Sequence, residues 1–453
     1  MTVVSETELS PRAQVAAGKA FREKVPHPSH GKLKLPARRD PLGILGQSDS
    51  ERLPELVPIR YGRMMQSPFA FFRGSAAVMA ADLSSTPASG LKVQACGDCH
   101  IKNFGGFATP ERNIVFDIND FDETLPAPWE WDVKRLTTSF VLAVRENGIS
   151  DTIGREVAAS CVRAYRKGIR ALSKLDPLAV WYMKLTAEEF LASAPGTIRD
   201  RVARRIEKGR AKGGSDVDYP KLAEAVHGKI RIKESPPLIY HPDQARTPEF
   251  ESVVERVLAE YRGTLADDRR ILLDRYHFVD TAIKVVGIGS VGTRCWIALF
   301  MSPANEPLFL QIKQANASVL EPNAGKSVYS HHGQRVVMGQ RLMQAASDIF
   351  LGWTTGQTGE YYVRQLRDVK ISPNLLLFDV AIFRMYAKVC GWALARAHAK
   401  SGDLNALTGY LGKSDGFDKA VADFAVAYAD QAERDYDALK DAVKSGKIDA
   451  YVE

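Results

Sequence analysis

The sequence predicts an α+β protein of two lobes, a large lobe that is mostly helical and a small lobe built on an antiparallel sheet. Three observations carry this. Apolar residues recur at three- and four-residue spacing through REVAASCVRAYRKGIRAL, FESVVERVLAEY and two long runs near the carboxy terminus. Between 277 and 315 the period switches to that of strands, in HFVDTAIKVVG, RCWIALFMS and LFLQIKQA. Helical pattern lies on both sides of that block, as expected when one lobe is inserted in, or permuted around, another.

The 453 residues are enough for two or three lobes, each with its own core. Hydrophobic content of 45% and charged content of 25% exclude disordered and fibrous classes. No run of ~18 apolar residues occurs, and MTVVSETELSPRAQ carries acids without an apolar stretch, so a cytoplasmic protein with no membrane partner is expected. Five cysteines spread along the chain do not suggest a disulfide framework. The net charge of +7 suits an anionic ligand such as a nucleotide. The densest basic stretch, 199–212, has no interleaved aromatic residues; it reads as a solvated helix face, which argues against nucleic acid as a partner.

In chain order, residues 1–50 are polar, basic and punctuated by proline, which predicts an extended arm. RYGRMMQSPFAFFRGSAAVMAADL is aromatic and partly helical. LKVQACG and NIVFDIND read as short strands around a glycine-rich turn at 103–106. Helical pattern fills 133–272, broken by a loop at KGGSDVDYPK. After the strand block, a helix is expected over GQRVVMGQRLMQAAS, a strand over YYVRQL, and long helices over FDVAIFRMYAKVCGWALARAHAK and FDKAVADFAVAYADQAERDYDALKDAVK. The expected division is an arm at 1–50, a helical lobe at 51–272, a strand-rich lobe at 273–366, and helices at 367–453 that complete the large lobe.

Chemistry concentrates first at 96–136. CGDCHIKNFG places Asp98 and Asn103 five residues apart with His100 between, and FDINDFDE supplies Asp117, Asp120 and Asp122. Phosphoryl transfer needs a carboxylate to accept a hydroxyl proton and oxygen ligands to hold Mg²⁺ on phosphates. An Asp-x-x-x-x-Asn loop followed by an acidic strand end offers both. The competing reading makes these acids ordinary turn formers at strand ends. Cys96-Gly97-Asp98-Cys99-His100 also spells a Cys-x-x-Cys-His haem-attachment string, or a Cys-x-x-Cys redox pair or half of a zinc site. No exported leader and no second cysteine pair of zinc-like spacing supports those alternatives.

A second cluster lies at 284–315. KVVGIGSVGTRCWIALF holds Gly287, Gly289 and Gly292 with Ser290 between, flanked by strand-like runs, which suggests a hairpin over phosphates and not a strand-to-helix turn. Lys313, on the apolar strand LFLQIKQA, needs an anionic partner, for which nucleotide phosphates qualify; the bland reading is a lysine that snorkels from an edge strand. The helix after it offers Gln334, Gln340 and Gln344 but no glutamate to pair with the lysine, and Glu321 precedes it. Arg73, in FAFFRG, suits the paired oxygens of a phosphate or an anionic substrate, and equally the capping of a helix.

GDCHIKN resembles the catalytic loop of aminoglycoside phosphotransferases and choline kinases, NDFDE resembles their metal motif, and PAPWEWDVKRL resembles their downstream helix, with Asp132 at the position that braces the loop. YYVRQLRD resembles the hinge strand of protein kinases, and WALARAHAKSGD the helix that usually leads into the catalytic loop. These segments stand in circularly permuted order, the glycine loop and lysine following the catalytic loop by almost two hundred positions. From about residue 55 onward the chain also resembles the bacterial domain of unknown function 2252 family, through FAFFRG, GDCHIKNFGG, INDFDE, WDVKRL, VVGIGSVGTR and RVVMGQRLMQAASDIFLGW. The resemblance implies a protein-kinase-like two-lobe fold and an ATP- and Mg²⁺-dependent phosphotransferase with an unidentified small-molecule or protein acceptor. Asp98 would be the base, with His100 and Asp132 beside it. Asn103, Asp120 and Asp122 would hold metal, and Gly287, Gly289, Ser290, Gly292, Lys313 and Arg73 the phosphates. A nucleotide sensor of pseudokinase type and a nucleotidyl (AMP) transferase are the alternatives.

Overall fold

Five helices begin alike, with a polar cap followed by proline: Ser10-Pro11, Asp40-Pro41, Ser67-Pro68, Asp176-Pro177 and Thr247-Pro248. In each, the cap side chain accepts a backbone N–H three residues on, and proline occupies a first-turn position where its missing N–H costs nothing. The computed structural model that shows this describes residues 9–193, 196–211, 219, 221–226, 229–243, 247–366 and 369–451.

This start signal corrects the expected amino-terminal arm. Pro11 and Pro41 open α1 (Pro11–Lys24) and α2 (Pro41–Asp49), so these prolines begin helices instead of extending the chain. Arg39 ties the segment down through Asp82 (2.7 Å) and Asp435 (2.6 Å), and His27 and His30 are buried. The aromatic segment that follows forms α3 (Val57–Met64), α4 (Pro68–Gly74) and α5 (Ala76–Leu83).

Next come β1 (Lys92–Ala95), β2 (Phe104–Ala108), β3 (Ile114–Ile118) and β4 (Leu125–Pro128), then the long helices α6 (Trp129–Glu146) and α7 (Asp151–Leu172). The middle of the chain is more broken than its periodicity suggests: α8 (Pro177–Tyr182), β5 (Leu185–Thr186), α9 (Ala187–Ser193), α10 (Gly196–Ala211), β6 (Ala223–Val226), β7 (Lys229–Ile232) and β8 (Ile239–Tyr240). The basic stretch falls on α10, and the loop expected at KGGSDVDYPK lies, apart from Tyr219 and Lys221, outside the described residues. Then follow α11 (Pro248–Gly263), α12 (Asp267–Leu273), β9 (His277–Lys284), β10 (Cys295–Met301), β11 (Pro307–Gln314), α13 (Glu321–Ala324), α14 (His332–Met343), β12 (Gly352–Gly356), β13 (Gly359–Gln365), β14 (Lys370–Ile371), α15 (Val380–Ala399), α16 (Leu404–Leu411) and α17 (Gly416–Lys444).

The fold is mixed α+β with antiparallel sheets. The main sheet has the order β12-β13-β11-β10-β9-β8, and β2 and β3 lie within a second sheet, β14-β2-β3-β5. One face of the main sheet packs Ala298, Leu310 and Val363 against Tyr261 and Leu265, so α11 and β8 belong with the sheet although they precede residue 273. The helical core gathers Phe140, Val141, Tyr165, Phe383, Leu394 and Phe424 from α6, α7, α15 and α17. Val336, Val337 and Met343 of α14 join that core and connect the two parts. Among the described residues no helix is long and apolar enough to cross a membrane.

Candidate active site

The floor of the site is a loop between β1 and β2, held by one face of α6. Asp132 accepts the N–H groups of Cys96 (2.7 Å) and Gly97 (3.0 Å). Arg135, one turn on, donates to Asp98 Oδ1 from Nε (2.8 Å), and its Nη2 lies 2.6 Å from the same oxygen and also donates to the Phe72 carbonyl (2.9 Å). Ser139, a further turn along, accepts the N–H of Ile101 (3.0 Å). Positions 132, 135 and 139 share a helical face, so α6 presents three successive polar groups to the loop. Gly97 has a φ of 82°, and a Cβ there would lie 2.4 Å from the Glu123 carbonyl oxygen, so both the turn and the close approach require glycine.

The β2–β3 hairpin brings Asn103 and the acidic strand end together. Phe104 pairs with Ile118, and the N–H of Asn119 donates to the Asn103 carbonyl (2.8 Å), so Asp120 stands directly beyond Asn103 at the open end of the hairpin. The Asn103 amide donates from Nδ2 to the Asp98 carbonyl (2.8 Å), turning its oxygen to the other side. Asp117 lies apart from this group. It is fully buried, gripped by Arg396 of α15 at 2.7 and 2.8 Å and by the N–H of Ala345 at 2.7 Å, which makes it a structural acid.

Burial raises the Asp120 carboxyl above its usual range, and Asp122 next to it raises it further, with a smaller push from Asp98. Asp122 is held low: burial opposes its ionisation, but the Lys313 ammonium and the Tyr362 hydroxyl (2.7 Å) outweigh that cost. Lys313, buried on β11, is correspondingly held above its ordinary value by Asp122, against the effect of burial. The lysine's partner is therefore an acid of the FDINDFDE segment and not a helix-borne glutamate. The helix α14 instead presents Arg335, which donates to the carbonyls of Thr124, Asp122 and Asn316, each at 2.8 Å. Arg364 of β13 completes the cluster, donating to Gln311 (2.9 Å). Burial raises Glu123 to about 7; its carboxylate accepts the N–H of Val319 (2.7 Å).

The glycine-rich segment turns between β9 and β10, which pair antiparallel, and Gly287 and Gly292 take φ values of 73° and 90°. Residues far upstream hold it: Arg63 donates to the Gly287 carbonyl (2.8 Å), Arg52 to the Val291 carbonyl, and the N–H of Leu53 to the Gly292 carbonyl (2.8 Å). Ser290 lies inside the turn, its carbonyl accepting the Thr293 hydroxyl (2.8 Å). The Arg73 carbonyl is 3.2 Å from where a Cβ on Gly289 would be. Arg73 stands in the last turn of α4, and its buried Nε meets no acceptor among the described residues.

His100 is buried, 3.7 Å from Asp98, and burial with Arg73 and Arg135 nearby holds its imidazole neutral. Cys96 and Cys99 are buried beneath the loop, and their sulfurs lie within 4.8 Å of each other and of an Asp132 oxygen. Burial raises both thiols, Cys99 to about 11, which opposes thiolate chemistry. The Asp132 oxygens are already engaged by two N–H groups and by His398 (3.1 Å).

Motif spacing did not single out Arg135, Ser139, Arg335, Tyr362, Arg364, Arg396 or His398. One signal was available for the first two: charged and hydroxyl residues on one face of a helix buried along most of its length must find partners inside. No curated protein and no solved structure matches the chain. Residues 52–442, most of its length, match the family model described as an uncharacterized protein conserved in bacteria (DUF2252), and the chain belongs to that family.

Proposed function

We propose that this protein is an ATP-dependent phosphotransferase with a kinase-like architecture in circularly permuted order. One observation carries the reading. Asp98, Asn103 and Asp120 meet at one hairpin end, and the Lys313–Asp122 pair joins them from the strand next to the glycine turn. The permutation is supported by the end of α15, where Ser401 accepts the N–H of Gln94 (2.8 Å), so the helix that would lead into the catalytic loop abuts β1 in space.

A divalent cation suits the donor set, because crowded carboxylates raise Asp120 and a cation would relieve that crowding. Mg²⁺, when bound by Asn103 and Asp120 with Asp122 nearby, would neutralise phosphate charge. Asp98 accepts the acceptor's hydroxyl proton; Arg135 engages Oδ1 and leaves Oδ2 for that transfer. Lys313 and the backbone of the glycine turn orient the phosphates. A nucleotide sensor that turns over slowly or not at all is the second reading, favoured by Arg135 occupying Asp98 and by the absence of a glutamate on α14.

Calorimetric titration of Mg-ATP into wild type and Lys313→Ala, followed by product identification, tests this. Magnesium-dependent binding that is lost in the variant, with ADP formed by wild type and not by Asp98→Asn, is expected. AMP joined to an acceptor with release of pyrophosphate would instead indicate nucleotidyl transfer, binding without products a sensor, and no binding in wild type would refute the nucleotide site.

A further inference from the structure

The main sheet carries a cavity on the face turned away from Lys313. Successive residues of a strand point to opposite faces, and residues paired across strands share one. Lys313 pairs with Cys295 and Tyr362, whereas Ile312 pairs with Trp296 and Val363, so Ile312 and Trp296 lie behind the Lys313–Asp122 pair. Helix α11 covers that rear face with an apolar stripe: Phe250, Val253, Val254, Val257, Leu258 and Tyr261. Only Tyr261 is fully buried, against Leu310 and Val363; the rest of the stripe is half-buried. At the other end Phe250 meets Trp296, with ring centroids 5.6 Å apart. Between these contacts helix and sheet leave a cavity of about 870 Å³, lined by Val253, Val254 and Val257 on one side and Ile283, Trp296 and Ile312 on the other. Sites for small molecules commonly enclose about 300–1,000 Å³ and combine apolar walls with a few polar groups.

One cation in this lining is unanswered. Arg294 stands two residues before Trp296, beside the glycine turn. Gln314 fixes its backbone, accepting its N–H on Oε1 (3.0 Å) and donating to its carbonyl (2.8 Å). Its guanidinium makes no ion pair or hydrogen bond among the described residues. His241, also in the lining, is engaged by Glu234 (2.7 Å) and Asp280 (3.0 Å), and the lining acids Glu55, Asp243 and Glu249 are exposed to water.

We infer that this cavity binds a monocarboxylate with an apolar body, of the medium-chain fatty acid kind, its tail between α11 and the sheet and its carboxylate on Arg294. The apolar walls recover contact that the empty cavity lacks, and a guanidinium offers paired donors to the two carboxylate oxygens. The site lies on the other face of the sheet from Lys313 and does not depend on the nucleotide reading.

The test is calorimetry with octanoate on wild type, Arg294→Met and Val254→Trp, with octanol and octyltrimethylammonium as controls. Wild type is expected to bind octanoate at least tenfold more tightly than octanol, and not to bind the ammonium. Arg294→Met should weaken octanoate at least tenfold and leave octanol within threefold. Val254→Trp, which fills the cavity from a half-buried position, should weaken both at least tenfold. No binding by wild type, equal binding of acid and alcohol, preference for the ammonium, or octanoate binding unchanged in either variant would each overturn the inference. So would a dimer in sedimentation that Val254→Trp splits, because a second copy would then cover this face.

Discussion

The loop carrying Asp98 and the turn carrying Gly287 to Gly292, which the proposed function assigns to one site, are held by different stretches of chain. The loop is fastened by Asp132, Arg135 and Ser139, all within about forty residues of it and all buried. The turn is fastened by Arg52, Leu53 and Arg63, more than two hundred positions away, through bonds to its carbonyl oxygens. Buried side chains that satisfy buried polar groups bear on whether the protein folds at all, because losing one leaves the partner orphaned. Contacts made to a turn from outside adjust its position, and their loss reads as weaker binding. The floor should therefore fail as stability and the roof as affinity.

The largest loss is expected for Arg396→Met, which strands the fully buried Asp117 carboxylate, apart from both regions, and calibrates what buried pairing contributes in this protein. A loss of about 3–5 kcal/mol in urea unfolding is expected; a loss below about 1 kcal/mol would mean that buried pairing contributes less than the geometry implies and would weaken the contrast. Gly97→Ala should cost about 2–3 kcal/mol, because φ and the Glu123 carbonyl both oppose a side chain there. An unchanged melting temperature would show that the loop relaxes.

Two adjacent acids near the proposed site respond to pH with opposite signs. Asp122 is held below its usual value, so its stabilising contribution is present above the ordinary carboxylate range and is lost as pH falls through its folded value. Lys313→Met should cost roughly 2 kcal/mol near neutrality, and its deficit relative to wild type should shrink in acid. Glu123 has the opposite sign. Raised to about 7 from the ordinary 4.5, it favours the folded state below the ordinary value and loses that contribution as pH rises through about 7. Glu123→Gln should therefore gain stability over wild type at pH 8 and match it near pH 4; thermal melts across that range that run parallel would refute the assignment. The smallest effect expected is Ser139→Ala, about 1 kcal/mol, from the lost acceptor for Ile101 N–H.

Much of the architecture was legible in the chain. The period of two in HFVDTAIK, CWIALFM and PLFLQIKQ, and the three-four spacing of α7, α15 and α17, appear as strands and helices close to their expected bounds. The amino-terminal arm was misread because proline density was taken as extension, whereas Ser10-Pro11 and Asp40-Pro41 are helix starts. The missing glutamate on α14 marked a real departure, but its resolution was out of reach: Asp122 lies 191 positions from Lys313 and meets it only in three dimensions.

The sequence by itself determined the local elements, because backbone periodicity, caps and turn glycines act over a few residues. It also brought Asp98, Asn103 and Asp120 close, since a short loop and one hairpin join them. Tertiary structure alone decided which acid answers Lys313, that Asp117 is sealed under Arg396, that Arg335 grips the acidic turn, and that His100 is buried 3.7 Å from Asp98. Charge pairing and desolvation depend on which groups share a low-dielectric volume, and that volume exists only after distant segments have packed.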